Sequence, residues 1–271
     1  MTLPANLDAV LSEAWRQAHE IQGYMGQKEF RVLGLLAALS ACAAEPGVLV
    51  EIGSFKGKST IVLAKVAERF GLGTVVSIDP HNAPSETDPD LRGQPSSFEE
   101  FLATIHSAGI KPQVEVHRAA SQDAAQGWTR QVRLLWIDGD HTYKGAKEDI
   151  DLFLPHLAEG AIVAIHDTLH EFEGPIRVFV ENILRSDEFG PASFCGSIGW
   201  AQYRPRDGHR FRSERERLSR RAARLIPFVT GGRRVKGLTK LRYKFRRALI
   251  LRASLPPSEW AAKVSLSDLE R

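Results

Sequence analysis

Cysteine is scarce. The 271 residues include only Cys42 and Cys195, and neither stands in a CxxC or other metal-type spacing, which excludes a disulfide scaffold and a thiolate metal centre. Both are expected to be buried thiols. Long hydrophobic runs are also missing: the strongest, residues 32–44 and 161–165, fall far short of the roughly 20 residues that cross a bilayer. The first residues, MTLPANLDAVLSEAW, lack a basic segment followed by an apolar stretch of secretory length, so no signal peptide is expected. A cytoplasmic location, or a peripheral one at a membrane, follows. With 43% hydrophobic, 25% charged and 8% aromatic residues, the chain lies inside globular usage and outside collagenous or disordered ranges. Its length suits one α/β unit with an appendage.

The net charge of +3 conceals a division. Residues 204–271 carry 20 Lys and Arg against 6 Asp and Glu, and residues 1–203 carry 16 against 27, so a tail of +14 follows a body of −11. A basic appendage of this kind meets an anionic surface, either nucleic acid or lipid headgroups. Within it Leu238, Leu241, Phe245, Leu249 and Arg252 recur at three- or four-residue steps, with Arg242, Lys244, Arg246 and Arg247 largely elsewhere around the helix. The apolar stripe of such a helix lies in a membrane interface with cations on acidic lipids, or packs on the body; packing is the expectation, since this spacing usually marks a covered helix. Gly231, Gly232, Pro256 and Pro257 divide the tail into two or three short helices without a large core of their own.

The body alternates. Helical periodicity over residues 6–18 and 28–44 precedes a β-type run at 48–52, a glycine turn at 53–59 and a helix over 60–69. Further strands are expected at 74–78, 114–117, 134–137 and 161–165, with helices over 98–107, near Asp123, and over 143–157. Continuous apolar strands separated by helices indicate a doubly wound, Rossmann-like, mostly parallel sheet. The division expected is a catalytic domain over 1–203, with N-terminal helices at 6–44, and a basic, partly helical extension over 204–271. Ligands bind such sheets at the carboxyl edge, which here collects Glu51, Gly53, Asp79, Asp138, His141, His166 and Asp167.

Gly53 and Gly57 let backbone approach a ligand while the following helix offers unpaired N–H groups. The spacing is neither GxxxxGK[ST] nor GxGxxG. Glu51 and Asp79, acids ending the first two strands, suit a ligand with an amine and a ribose diol; Asp79 is otherwise a cap for the turn at Pro80.

In this ordered set the sequence resembles the class I S-adenosylmethionine-dependent methyltransferases, in particular the small-molecule and sugar O-methyltransferase branch that often binds a divalent metal. VLVEIGSFKGKS looks like the first cofactor motif, VSIDP like the ribose-binding acid, and LLWIDGDHTY with AIVAIHD like the later strand ends. The resemblance spans about residues 25–200. It implies that Glu51, Gly53, Ser54 and Ser59 border the methionine part of the cofactor, that Asp79 holds the ribose, and that Ser121 lies near adenine with Asp138 adjoining the bound molecule. Ala119 and Ala120 stand where many relatives have Gly-Asp.

The resemblance further implies a Mg²⁺ or Mn²⁺ site at Asp138 and Asp167, with His166 as third ligand because Thr168 replaces the usual Asn. His141 occupies the place of a catalytic lysine, and its imidazole suits proton removal near neutrality; His166 is the rival base. The expected acceptor is a saccharide or another small hydroxylated molecule, approached past residues 23–30 and a lid over 81–97. A homo-oligomer is also expected. Alternatives are an RNA-directed methyltransferase using the basic tail and a non-catalytic binding protein of the same fold.

Overall fold

The computed structural model describes residues 6–82, 96–231 and 235–251. Most of the expected lid, residues 83–95, and the end of the basic extension, residues 252–271, lie outside them. Helix α1 (Leu7–Ala18) buries Leu7, Leu11, Ala14 and Ala18, one residue per turn on one side. Helix α2 (Gln27–Ala43) starts at Gly26, whose N–H donates to the Glu29 carboxylate, a capping-box arrangement.

Then the alternation begins: β1 (Val48–Ile52), α3 (Lys58–Phe70), β2 (Val75–Ile78), α4 (Phe98–Ser107), β3 (Val114–His117), α5 (Ser121–Ala124), β4 (Val132–Ile137), α6 (Tyr143–Phe153), β5 (Leu157–Ile165) and α7 (Glu173–Val178). β6 (Phe189–Cys195) and β7 (Ile198–Tyr203) form a hairpin, and α8 (Arg212–Ala222), α9 (Ile226–Val229) and α10 (Gly237–Leu251) follow. The sheet order is β3-β2-β1-β4-β5-β7-β6. β1 to β5 are parallel, while β7 runs antiparallel to both β5 and β6. The expected doubly wound, mostly parallel architecture is therefore present.

Residues alternate between two cores because successive side chains leave a strand on opposite faces. Leu134, Trp136 and Trp200 join α1, α2 and α3 on one side. Leu135, Ile137, Val163 and Ile165 pack on the other with α6 and α7. Leu218, Ala222, Leu225, Val229, Tyr243 and Ile250 of the basic extension belong to this second core. Cys195 is a free thiol at the end of β6. Among the described residues no helix is long and apolar enough to cross a membrane.

Two expectations require correction. The helix foreseen over 143–157 ends at Phe153, passes through a short 3₁₀ turn at Leu154–His156, and β5 starts at Leu157. Pro155 lacks the N–H that another α-turn would need. The apolar stripe of α10 does not pack on the body: Leu238, Leu241, Phe245 and Leu249 are 77%, 65%, 65% and 40% exposed, and Tyr243 and Ile250 make the buried face instead.

Arg215 fastens the extension to the sheet. Buried in α8, its guanidinium donates to the carbonyl oxygens of Phe189 and Gly208 and lies 3.4 Å from the Asp187 carboxylate. Arg215→Met keeps the stem and removes the donors, leaving carbonyls unpaired in the core. It is expected to lower unfolding free energy by about 2–4 kcal/mol, read from urea melts. An unchanged midpoint would show that these bonds do not hold the extension.

Candidate active site

Strand ends build the site. Beyond β1 the N–H of Gly53 donates to Ile78 O at 2.9 Å, beyond β4 that of Asp138 donates to Ile52 O at 2.8 Å, and beyond β5 that of His166 donates to Ile137 O at 2.9 Å. Neighbouring carboxyl ends are thus pinned side by side. Gly53 has φ +86, and a Cβ there would lie 2.2 Å from the Asp138 carbonyl oxygen; only glycine permits this approach. A cavity of about 620 Å³ opens above the rim, a volume typical of small-molecule sites.

Of the residues singled out in the sequence, Gly53, Ser54, Ser59, Asp79, Ser121, Asp138, His141 and Asp167 all line this cavity, whereas Glu51 and His166 stand behind its wall. Phe55, His81 and Asp167, which also line it, have φ of +46, +56 and +56. Non-glycine residues rarely adopt this left-handed region, and such strain gathers where the surrounding structure imposes a particular side-chain aim.

Asp79 has two roles in view. Its Oδ2 accepts from the Phe55 N–H at 2.7 Å, tying the glycine loop to β2, and its Oδ1 accepts from the His81 N–H at 2.6 Å across Pro80. It therefore caps the turn while lining the cavity, and each carboxylate oxygen retains a lone pair for another donor. Glu51 is fully buried and accepts from the Thr60 hydroxyl at 2.6 Å. Burial pushes its pKa up to about 7, against the pull of hydrogen bonds from Ser59 and Thr60. Beside Ser121, Asp149, also lifted by burial to about 6, is hydrogen-bonded to that serine.

Acids and imidazoles crowd around Asp138 and Asp167. His166 Nδ1 lies 3.0 Å from Asp138 Oδ1 and 3.3 Å from Asp167 Oδ1, and its Nε2 is 3.6 Å from Glu29 Oε2. Burial alone would depress this imidazole, but the charges of Asp138 and Asp167 and the contacts with Asp138 and Glu29 hold its pKa well above the ordinary value. His166 is thereby held toward its protonated form, with Nδ1 on the two aspartates and Nε2 facing Glu29 beyond hydrogen-bond distance. His141 Nε2 lies 3.3 Å from Asp167 Oδ2, and its ring stacks on Phe172 with centroids 4.3 Å apart. Burial lowers the His141 pKa, and the bond and charge of Asp167 more than restore it, leaving it raised. His170 Nδ1 sits 2.7 Å from the second oxygen of Asp167. Burial opposes the charge on Asp167, yet His141, His170 and His166 together keep its pKa far below the usual carboxylate range.

The donor set fits a divalent cation. Asp138, His141 and Asp167 each offer one ligand atom, all within 4.8 Å of one another, and two carboxylates with one imidazole suit Mn²⁺ or Mg²⁺. Thr168 does not join them, because its buried hydroxyl donates to Ser197 O at 2.6 Å. His166 stands outside this trio.

Sequence reasoning passed over Glu29. It lies in the first turn of α2, more than a hundred residues from its partners, where its oxygens meet His166 and the Ser197 N–H at 3.0 Å. Those contacts bring its pKa down to about 2 despite burial. Its only local signal was the capping position. Asp149, inside α6, carried none.

Residues 50–168 match the family model described as a methyltransferase domain. Among solved structures, the chain is similar to the cofactor-bound Rv0187 protein from MTB, at 19% identity and TM-score 0.54, over 74% of this chain and 91% of that one. The O-methyltransferase NovP gives 16% and 0.55 over 74% and 98%. TomG of Streptomyces achromogenes, an O-methyltransferase in tomaymycin synthesis solved in complex with SAM, gives 19% and 0.51 over 75% and 91%. At such identities the likeness is one of fold.

The raised pKa of Glu51 has a direct consequence for stability. In the unfolded chain this carboxyl loses its proton near the ordinary glutamate value of 4.5, whereas burial holds the proton in the folded protein until about 7. Folding therefore loses stability as pH rises between those values, by about 3 kcal/mol from this group. Glu51→Gln is expected to flatten that decline, so that the variant gains on the wild type from about pH 5 to pH 8 in urea unfolding. Parallel stability-against-pH curves would show that Glu51 ionises normally.

Proposed function

We propose that this chain is a class I S-adenosylmethionine-dependent methyltransferase that transfers the cofactor's methyl group to a hydroxyl oxygen of a small molecule or saccharide; the match of residues 50–168 to a methyltransferase domain and the shared fold support this reading. The observation that carries this reading is one cavity lined by two unlike groups of residues. Gly53, Ser54, Ser59, Asp79 and Ser121 form one, and Asp138, His141 and Asp167 the other. When bound, the cofactor supplies an electrophilic sulfonium methyl group.

Asp79 directs its remaining lone pairs to the ribose hydroxyls, and Gly53 and Ser54 border the methionine portion. Ser121, held by Asp149, lies toward adenine. At the second group the acceptor hydroxyl gives its proton to His141, at the ring nitrogen that does not face Asp167. Asp167 orients that imidazole and stabilises its charged form, as the third member of a nucleophile–base–acid relay does. With Asp167 alongside, His141 releases its proton only at higher pH than a free imidazole. Phe172, stacked on the ring, fixes its plane. His166 acts through its neighbours: it keeps Asp138 in place and offsets its charge.

Asp138 and Asp167, with His141 in reach, are the residues that would hold Mg²⁺ or Mn²⁺, which would supply Lewis-acid polarisation of the acceptor oxygen. The cavity's size favours an acceptor that enters it whole. Gly23, Tyr24 and Met25, which line it, belong to the segment expected to contact that acceptor. Residues 204–271 form an extension to this domain. The solved structures cover about three quarters of this chain, which leaves a share of that length without a counterpart.

Calorimetry separates the two groups. S-adenosylmethionine is expected to bind the purified protein; absence of heat and of thermal stabilisation would overturn the reading. Asp79→Ala should weaken cofactor binding roughly 10- to 100-fold. His141→Asn should leave that affinity within about twofold while kcat on a hydroxylated acceptor falls roughly 10²- to 10⁴-fold. Asp138→Ala should abolish the part of turnover that depends on added Mg²⁺ with cofactor affinity nearly intact. Loss of cofactor binding in His141→Asn would place this residue in the wrong group.

A further inference from the structure

Among the described residues, six large apolar side chains are exposed: Tyr24 and Phe172 at the cavity, and Leu238, Leu241, Phe245 and Leu249, all on α10. At 100° per residue these four fall within one arc of about 80°. Exposed cations border it, Arg242 on one edge and Lys244 on the other. Helix α10 contains five basic residues and no acidic one. Its opposite face is anchored: Tyr243 and Ile250 are buried, the Tyr243 hydroxyl donates to His170 O, and Arg246 donates to Arg224 O at 2.9 Å. The apolar stripe is thus held outward by the fold.

We propose that α10 is an interfacial helix that docks this protein on an anionic phospholipid bilayer. Leu238, Leu241, Phe245 and Leu249 enter the boundary between headgroups and acyl chains, and Arg242 and Lys244 extend sideways to acidic headgroups. Exposed Arg217 and Arg221 of α8 add positive charge to the same extension.

Charge and chemistry select this occupant. A symmetric contact with a second copy would set Arg242 and Lys244 against cations of the same kind. RNA would pair with the cations but leave three leucines without a partner, since single-stranded nucleic acid calls for aromatic stacking. Residues 252–271 contain three basic and three acidic residues, so they bring no net negative charge to cover a +5 helix. A bilayer containing acidic lipid offers both requirements at once.

The inference is independent of the methyl-transfer reading and is tested on the full chain with phosphatidylcholine vesicles, with and without phosphatidylserine. The protein is expected to sediment with the mixed vesicles and scarcely with phosphatidylcholine alone, and raised salt should weaken the association. Leu241→Ser with Phe245→Ser should lower the partition coefficient more than about tenfold, with unfolding temperature and cofactor binding unaltered because both side chains are already exposed. Arg242→Gln with Lys244→Gln should lower it about tenfold or more at low salt.

Failure to sediment with phosphatidylserine vesicles overturns the proposal, as does binding that survives Leu241→Ser/Phe245→Ser. Light scattering in which that double variant converts a dimer to a monomer assigns the stripe to a second copy. Salt-sensitive RNA binding without vesicle binding assigns the charge to nucleic acid. Either result also overturns it.

Discussion

A buried imidazolium lets the acids of the active-site wall coexist. Asp138, Asp167 and Glu29 converge on His166. Two like charges about 4 Å apart at an effective dielectric constant near 20 would cost about 4 kcal/mol, enough to force a proton onto one of them. His166, held toward its charged form, offsets that cost at Asp167, which His141 and His170 share with it, while burial still leaves the Asp138 pKa raised. The cluster is therefore nearly self-neutralised before any ligand arrives, and its geometry can be fixed by folding alone. Glu29 extends the network to α2 and Ser197, so the helix covering one face of the sheet and the turn joining β6 to β7 are both tied to the acids at its edge.

Parallel topology supplies the other half of the site. Since β2, β1, β4 and β5 run the same way in adjacent positions, every residue that ends a strand arrives on one rim. Close approach is then decided by Gly53, against which the Asp138 backbone lies with no space for a side chain. The glycine loop is further held by Asp79 through the Phe55 N–H. The residues around Asp79 and those around Asp138 are consequently parts of one rigid frame, which is what the proposed in-line group transfer would demand of its binding residues.

This rim was legible in the sequence because apolar runs that give way to Gly53, Asp79, Asp138 and Asp167 state both the strand and its end, although Glu51, expected at the edge, is buried within β1. What escaped the reading had no local mark. Glu29 sits in a helix and reaches His166 only through the tertiary fold, while Asp149 acquires its raised pKa from burial that α6 and β4 create together. The end of α6 was misjudged because apolar periodicity outweighed Pro155. On α10 four apolar residues at helical spacing pointed to a packed stripe, yet two others, Tyr243 and Ile250, do the packing. Periodicity counts apolar side chains; it does not know which arc of the helix the rest of the molecule reaches.

That last difference follows from where α10 is fastened. Tyr243 bonds to the carbonyl of His170, and Lys240 pairs with Glu171 at 3.2 Å, so the helix is attached to the loop that runs from Asp167 to Phe172. The sheet face beneath is already filled by Leu218, Ala222 and Leu225 from the preceding helical segment. A fourth apolar layer has nothing left to cover there, and the helix buries only the arc of Tyr243 and Ile250, which joins the second core beside α8 and β6. The same loop holds Asp167 at its start and Phe172 against His141 at its end. The outward stripe and the ordering of His141 are thus two results of one attachment: the helix braces the loop from Asp167 to Phe172 with its inner arc, and its outer arc is exposed as a consequence.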